Sequence, residues 1–143
     1  GTALERGVNV PLVMRGPRIR PGARHQLVHV VDFMATLGEA LGLCPPADLR
    51  TLDLDTRSFA PALADPTFGG RSFVYVDIIP PGPRPRERAA IGPRWKLRRV
   101  GVGGGQTETL LDLKADPEEQ DPLDPDTHPT ISRVLRKVLD YYE

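Results

Sequence analysis

The chain has 143 residues, of which 39% are hydrophobic, the size of one domain with enough apolar content for a real core. It is neutral overall, with 19 Lys and Arg against 19 Asp and Glu, so it lacks the net basic footprint of a nucleic-acid binder. No apolar run approaches the roughly 20 residues that cross a bilayer, which makes a soluble chain the expectation, and the single cysteine, Cys44, excludes an internal disulfide framework and a thiolate-rich zinc site.

The neutrality hides a division. Residues 1–100 carry 15 Arg and Lys against 9 Asp and Glu, and residues 101–143 carry 4 against 10. Two stretches of charge +6 and −6 are suited to pack on each other. Sixteen prolines favour many turns and short elements over a helical bundle.

Along the chain, Val10, Leu12, Val13 and Met14 form an apolar run that reads as a buried strand, entered at Pro11 and closed by Gly16-Pro17. It has no sequence neighbour to pair with, as a strand of a larger parallel sheet would not, and an unpaired apolar edge invites self-association. A polar loop turning at Pro21-Gly22 leads into the clearest helical pattern, over residues 27–43. There Val30, Phe33, Met34, Leu37 and Leu41 recur at helical spacing, Gly38 marks a close contact, and Gly42 with Pro45-Pro46 supplies the stop. A loop follows, with a short helix over Ser58–Leu63.

Arg71–Ile79 is rich in aromatic and β-branched residues and reads as a strand. After a proline-arginine loop, residues 89–100 and the Glu108–Leu113 segment read as an antiparallel hairpin joined by a loose glycine loop at Gly101–Gly105. In the stretch Glu108–Leu123, Asp116 is suited to cap a helical turn opened by Pro117, with Glu119 completing a capping box. The last element is a helix from Pro129 to Tyr142 with Ile131, Val134, Leu135, Val138 and Tyr142 on its apolar side. Strand, helix, three antiparallel strands and a closing helix make an α+β arrangement.

Few residues here carry chemistry by pattern. His25 and His29 are four apart, but Gln26 stands where a zinc-protease helix has Glu and no third ligand is evident, so a surface or helix-start role is expected. Seven Arg and Lys fall between Arg84 and Arg99. They would either form a rim that collects a sulfated or phosphorylated substrate, or solvate and pair with the acidic tail. Trp95 would either stack on a substrate ring or sit in the core. The Gly101–Gly105 run precedes no helix, which removes a phosphate-binding reading.

Six pieces of the chain, in order, resemble elements of the sulfatases of the alkaline-phosphatase superfamily. Gly1-Thr2 with Glu5, Gly7, Val10 and Pro11 is similar to K-G-T…E-G-G-x-R-V-P, and Pro21-Gly22 falls at the usual place. Asp32, Thr36 and Leu37 resemble V-D-x-x-P-T-L, and Asp55, Ser58, Pro61 and Leu63 resemble D-G-x-S-x-x-P-x-L. Arg94, Trp95 and Lys96 match R-W-K, and Glu108–Leu123 is similar to the L-Y-D-L-x-x-D-P-x-E-x-x-N-L element near the sulfatase C-terminus. The resemblance implies a C-terminal sulfatase portion: residues 1–68 as the tail of an α/β catalytic domain, contributing one strand and one helix to its larger sheet, and residues 69–143 as a small antiparallel subdomain with the final helix.

A sulfatase uses a formylglycine made from Cys or Ser in C/S-x-P-x-R, with calcium or magnesium held by Asp, Asn and His. This chain has no such motif, since Cys44 is followed by Pro45-Pro46 and then by no Arg at the required place. The resemblance therefore implies no catalytic and no metal-binding residue here and an inactive segment. Thr2, Glu5, Arg84 and Arg86 would at most border the substrate pocket. The implied partners are the remainder of a sulfatase chain and, in the parent, a sulfated small molecule or glycan, with no cofactor in this segment. A phosphonate or phosphodiester hydrolase of the same superfamily, or a non-catalytic substrate-rim module, are the alternatives.

Overall fold

The computed structural model describes residues 2–43, 55–102 and 105–143; Gly1, Cys44, Pro45-Pro46 and the centre of the glycine loop lie outside them. The chain divides into two compact units, Gly1–Leu12 with Phe73–Glu143, and Val13–Ser72.

The first unit is built on a four-stranded antiparallel sheet in sequential order: β1 (Val74–Ile78), β2 (Arg86–Ile91), β3 (Trp95–Val102) and β4 (Gly105–Asp112). Its register sets Tyr75 against Ala90, Ala90 against Leu97, and Leu97 against Leu110, and Leu110 bridges to Leu123. One row of side chains thus crosses all four strands on one face. The final helix, Pro129–Tyr141, lays the fully buried Leu135 and Leu139 on that row, with Ile131 and Val138 partly buried beside them. Side chains alternate between faces along a strand, so Lys96, next to Leu97, points to the opposite face with Arg98 and Glu87. Residues 2–5 cover that second face, and Ala3 is fully buried there. They lead into α1 (Glu5–Val8), where a Cβ at Gly7 would overlap the Thr2 carbonyl oxygen, which accounts for the glycine.

The second unit holds α2 (Asp32–Ala40) and α3 (Ala60–Ala64), and a bridge pairs Leu27 with Arg71. The closing helix of the first unit is α4.

The α+β class holds, with several local corrections. Residues 10–14 are not paired into a sheet, and Val10, Leu12 and Val13 are exposed, so the expected burial is not met among the described residues. The stretch 86–102 is two strands, because the chain reverses at Gly92, whose N–H donates to the Trp95 carbonyl at 2.8 Å. Gly101 and Gly105 are ladder residues and not loop, paired with Gln106 and Val102. The Asp116 segment forms a turn and not a helix: Asp116 accepts from the Asp121 N–H at 2.8 Å, and Glu119 sits at φ 56°, in the left-handed region that ends a helix. α2 is shorter than its pattern and turned over. Its buried residues are Asp32, Ala35 and Thr36, while Val30, Met34, Leu37 and Leu41 are exposed. In α4 the buried line is Ser132, Leu135 and Leu139, and Val134 and Tyr142 lie outside it.

Candidate functional site

Two buried ionic nodes, one in each unit, gather most of the residues that carry the sequence signatures. The first is centred on Lys96 of β3. Its ammonium has no exposed surface and donates to Glu5 Oε1 at 3.0 Å and Glu119 Oε1 at 2.7 Å. The second oxygen of Glu119 accepts from the Glu5 N–H at 2.6 Å. The capping role read into Glu119 therefore exists, but it serves α1, 114 residues earlier, and not its own turn. Glu119, at a left-handed backbone position, has its side chain buried while its neighbours Pro117, Glu118 and Gln120 are exposed. Next to this triad, Glu87 Oε2 accepts from the Ala3 N–H at 3.0 Å, the Thr2 hydroxyl at 3.3 Å and Arg98 Nε at 3.1 Å. Burial pushes the Glu87 carboxyl up, but these bonds outweigh it and hold the group below its ordinary pKa.

The second node is Asp32, at the first turn of α2 and almost fully buried. Its carboxylate accepts from the His29 N–H at 2.9 Å, the Arg57 N–H at 2.8 Å and Arg71 Nε at 2.7 Å, and Arg71 Nη2 closes a bidentate pair. Arg71 also donates to the Asp55 carbonyl. One turn on, the buried Thr36 hydroxyl donates to the Asp32 carbonyl at 2.7 Å and accepts from the Phe59 N–H at 3.0 Å. Burial drives the Asp32 carboxyl up, and the Arg71 fork with the two backbone donors more than offsets it, so the carboxyl lies below its usual range. His29, expected at a helix start, is found there: its Nδ1 accepts from the Val31 N–H at 3.3 Å.

The Arg84–Arg99 run is almost wholly engaged in ion pairs. Arg86 pairs with Asp77, Arg88 with Glu143, Arg94 with Asp112, Lys96 with the two glutamates, Arg98 with Glu87, and Arg99 with Glu108, Asp140 and Glu143. Arg84 is exposed and has no ion pair among the described residues. Most of these partners belong to residues 101–143, so the division of charge along the sequence becomes contact between β2 and β3 and the acidic final third. Asp112 is held down to about 2, first by the Arg94 fork and also by the N–H groups of Ala115 and Lys114, against the opposing effect of burial. Trp95 is partly buried against the core, with the Arg94 guanidinium 4.8 Å and the His128 ring 4.8 Å from its ring. A ring approached by both groups is poorly placed to receive a substrate ring.

Of the four residues expected to border a pocket, Thr2 and Glu5 therefore sit in the first node, Arg86 is paired, and Arg84 stands alone. Among the described residues no group of three or more His, Cys, Asp or Glu is placed to hold a metal ion, and no helix is long and apolar enough to cross a membrane. The sequence missed Glu87 and Arg71, which lie in no quoted motif. Their signal was complementarity: an acid inside the basic run, and an arginine opening a strand pattern.

The architecture matches solved sulfatase structures. A Bacteroides thetaiotaomicron VPI-5482 protein assigned to the sulfatases superposes with a TM-score of 0.70 at 26% identity, over 89% of this chain and 28% of that one. This is the fold of the C-terminal portion of a sulfatase. A 2-O GAG sulfatase matches with a TM-score of 0.68, again at 26% identity over 89% of this chain and 28% of that one. A protein of the glycosaminoglycan-metabolism locus of Bacteroides thetaiotaomicron shares the fold with a TM-score of 0.56 at 18% identity, over 73% of this chain and 24% of that one. No protein-family model and no curated protein sequence matches the chain. The chain thus spans under a third of the length of the structures it matches.

Proposed function

We propose that this chain is the scaffolding C-terminal part of a sulfuric-ester hydrolase whose reaction centre lies in the portion corresponding to the unmatched length of the solved neighbours. The observation that carries the reading is the 26% identity held over 89% of the chain to sulfatase structures. The node geometry supports a scaffolding role. Lys96 and Glu119 are enclosed and bonded to each other and to Glu5, so neither has an exposed face to meet a substrate.

A divalent cation and a formylglycine, when present in a sulfatase, supply the Lewis acid and the nucleophile. The residues of this chain do not fit that centre: Cys44 lacks the motif, and His25 and His29 are joined by no carboxylate cluster among the described residues. What this chain would contribute is position and charge. Its clamped residues 2–5 fix one stretch of chain on the sheet, and Arg84, exposed and without an ion pair among the described residues, is a cation that an anionic substrate could meet. Because one structural neighbour is a 2-O GAG sulfatase, a sulfated glycan is the substrate class to try first. A phosphonate or phosphodiester hydrolase would share this scaffold and is the nearest competing activity.

The test is to read the coding sequence upstream of Gly1 and to assay its longer product on aryl sulfates and on phosphodiesters. A C/S-x-P-x-R motif with sulfate-ester hydrolysis is the expected result. A longer product with neither motif nor sulfate hydrolysis would overturn the reading.

A further inference from the structure

A row of charge crosses the sheet beside its apolar row. The register sets Asp77 against Arg88, Arg88 against Arg99, and Arg99 against Glu108. Each lies two residues along its strand from Tyr75, Ala90, Leu97 or Leu110, and so on the face that α4 covers. Like charges directly opposite on neighbouring strands repel, and the side chains of Arg88 and Arg99 are each only 8% exposed, so the pair needs an anion between them. The flanking acids are engaged otherwise: Asp77 takes the Arg86 fork, and Glu108 is shared by Arg99 and Arg136. Asp140 accepts from Arg99 alone, at 3.0 Å. The bridge between the two arginines is Glu143, just past the end of α4, whose Oε1 accepts from Arg99 Nη1 at 2.8 Å and from Arg88 Nη1. Among the described residues Arg88 has no other ion pair, and its buried Nε has no hydrogen-bond partner. A buried guanidinium donor without a partner is uncommon and calls for an acceptor.

We propose that Arg88 and Arg99 form a binding site for a singly charged oxyanion, a sulfate monoester above all, and that the Glu143 carboxylate fills it in this structure. The charge matches, because a sulfate monoester replaces the carboxylate one for one and brings no further negative charge beside Asp140 and Glu108. The geometry favours it as well. Three free oxygens can take Arg88 Nε in addition to the two Nη1 groups, whereas Glu143 bridges the arginines through one oxygen. Glu143 is also the way in: its side chain is 31% exposed and it lies beyond the last residue of α4, so its release opens the two guanidinium groups. The proposal goes beyond the functional reading above and does not need it, since binding at these arginines is measured without turnover.

Titration of the Glu143→Ala chain with sodium methyl sulfate tests this, with sodium acetate as the comparison anion and sodium chloride holding the ionic strength constant. Binding is read from the NMR resonances of the arginine Nε–H groups, assigned with Arg88→Lys and Arg99→Lys. The expected result is a saturable shift of the Arg88 and Arg99 resonances with methyl sulfate. Its Kd should lie roughly tenfold or more below that of the unaltered chain, where the tethered carboxylate competes. Adding Arg88→Lys to Glu143→Ala keeps the charge but removes the Nε donor and the fork, and should weaken binding severalfold. No saturable shift in Glu143→Ala, or the same Kd with and without Glu143, would overturn the proposal. Acetate bound as tightly as methyl sulfate would overturn the assignment to a sulfate ester. Glu143→Gln is the second variant: it keeps the size of the side chain, removes its charge, and should bind methyl sulfate more tightly than the unaltered chain does.

Discussion

A lysine without exposed surface is accommodated at position 96 because the carboxylates of Glu5 and Glu119 balance its charge. Removing one partner of a buried ion pair strands the other charge, which costs about 3–5 kcal/mol. Lys96→Met should therefore destabilise the chain by that order in urea unfolding, and adding Glu119→Gln should recover part of the loss. A loss within measurement error for Lys96→Met would show that the triad holds nothing. Asp112 gives a second handle. Its pKa of about 2 lies below the ordinary carboxylate range, so its contribution to stability is complete above that range and is lost as pH falls through about 2. Between about pH 5 and pH 2 the urea midpoint should fall. Arg94→Ala should make that fall shallower, because it removes the largest of the bonds that hold Asp112 down and leaves those from the Ala115 and Lys114 N–H groups. An unchanged slope would refute the pairing. At this scale the sequence exposed the names but not the roles. Glu5, Lys96 and Glu119 stand in three separate motifs, and nothing local to any of them says that they meet, since the contact is made by folding.

Elements were legible where one period dominated and misread where two competed. In α4, residues 131, 134, 135, 138, 139 and 142 are all apolar, a band wide enough to centre on either of two lines. The row Ala90–Leu97–Leu110 decides, drawing in Leu135 and Leu139. Leu139→Ala should thus cost about 2–5 kcal/mol through cavity formation, while Val134→Ala should stay within about 0.5 kcal/mol. Thermal or urea unfolding of the two variants distinguishes them, and equal losses would mean that the helix is rotated from the position described. The turn at Gly92 was hidden because Ala89–Ile91 and Trp95–Val100 each read as strand and the intervening Gly-Pro-Arg is short. α2 was misread for a different reason: its inner side is held by hydrogen bonds of Asp32 and Thr36 to Arg71, Arg57 and Phe59, which a pattern of apolar residues does not reveal.

For the whole molecule, the α+β class and the likeness to sulfatases were readable, because both depend on order and composition along the full length. Val10, Leu12, Val13 and the stripe of α2 are apolar yet exposed, and the solved neighbours run well beyond the 28% of their length that this chain matches. The signatures shared with sulfatases build two structural nodes, so this portion should carry no turnover of its own: charge that attracts a substrate does not accelerate chemistry without groups aimed at the transition state. The direct measurement is hydrolysis of an aryl sulfate by the purified 143-residue chain with calcium or magnesium added. The expected rate is no higher than that of buffer alone. Turnover that disappears on substituting a residue within 1–143 would contradict it.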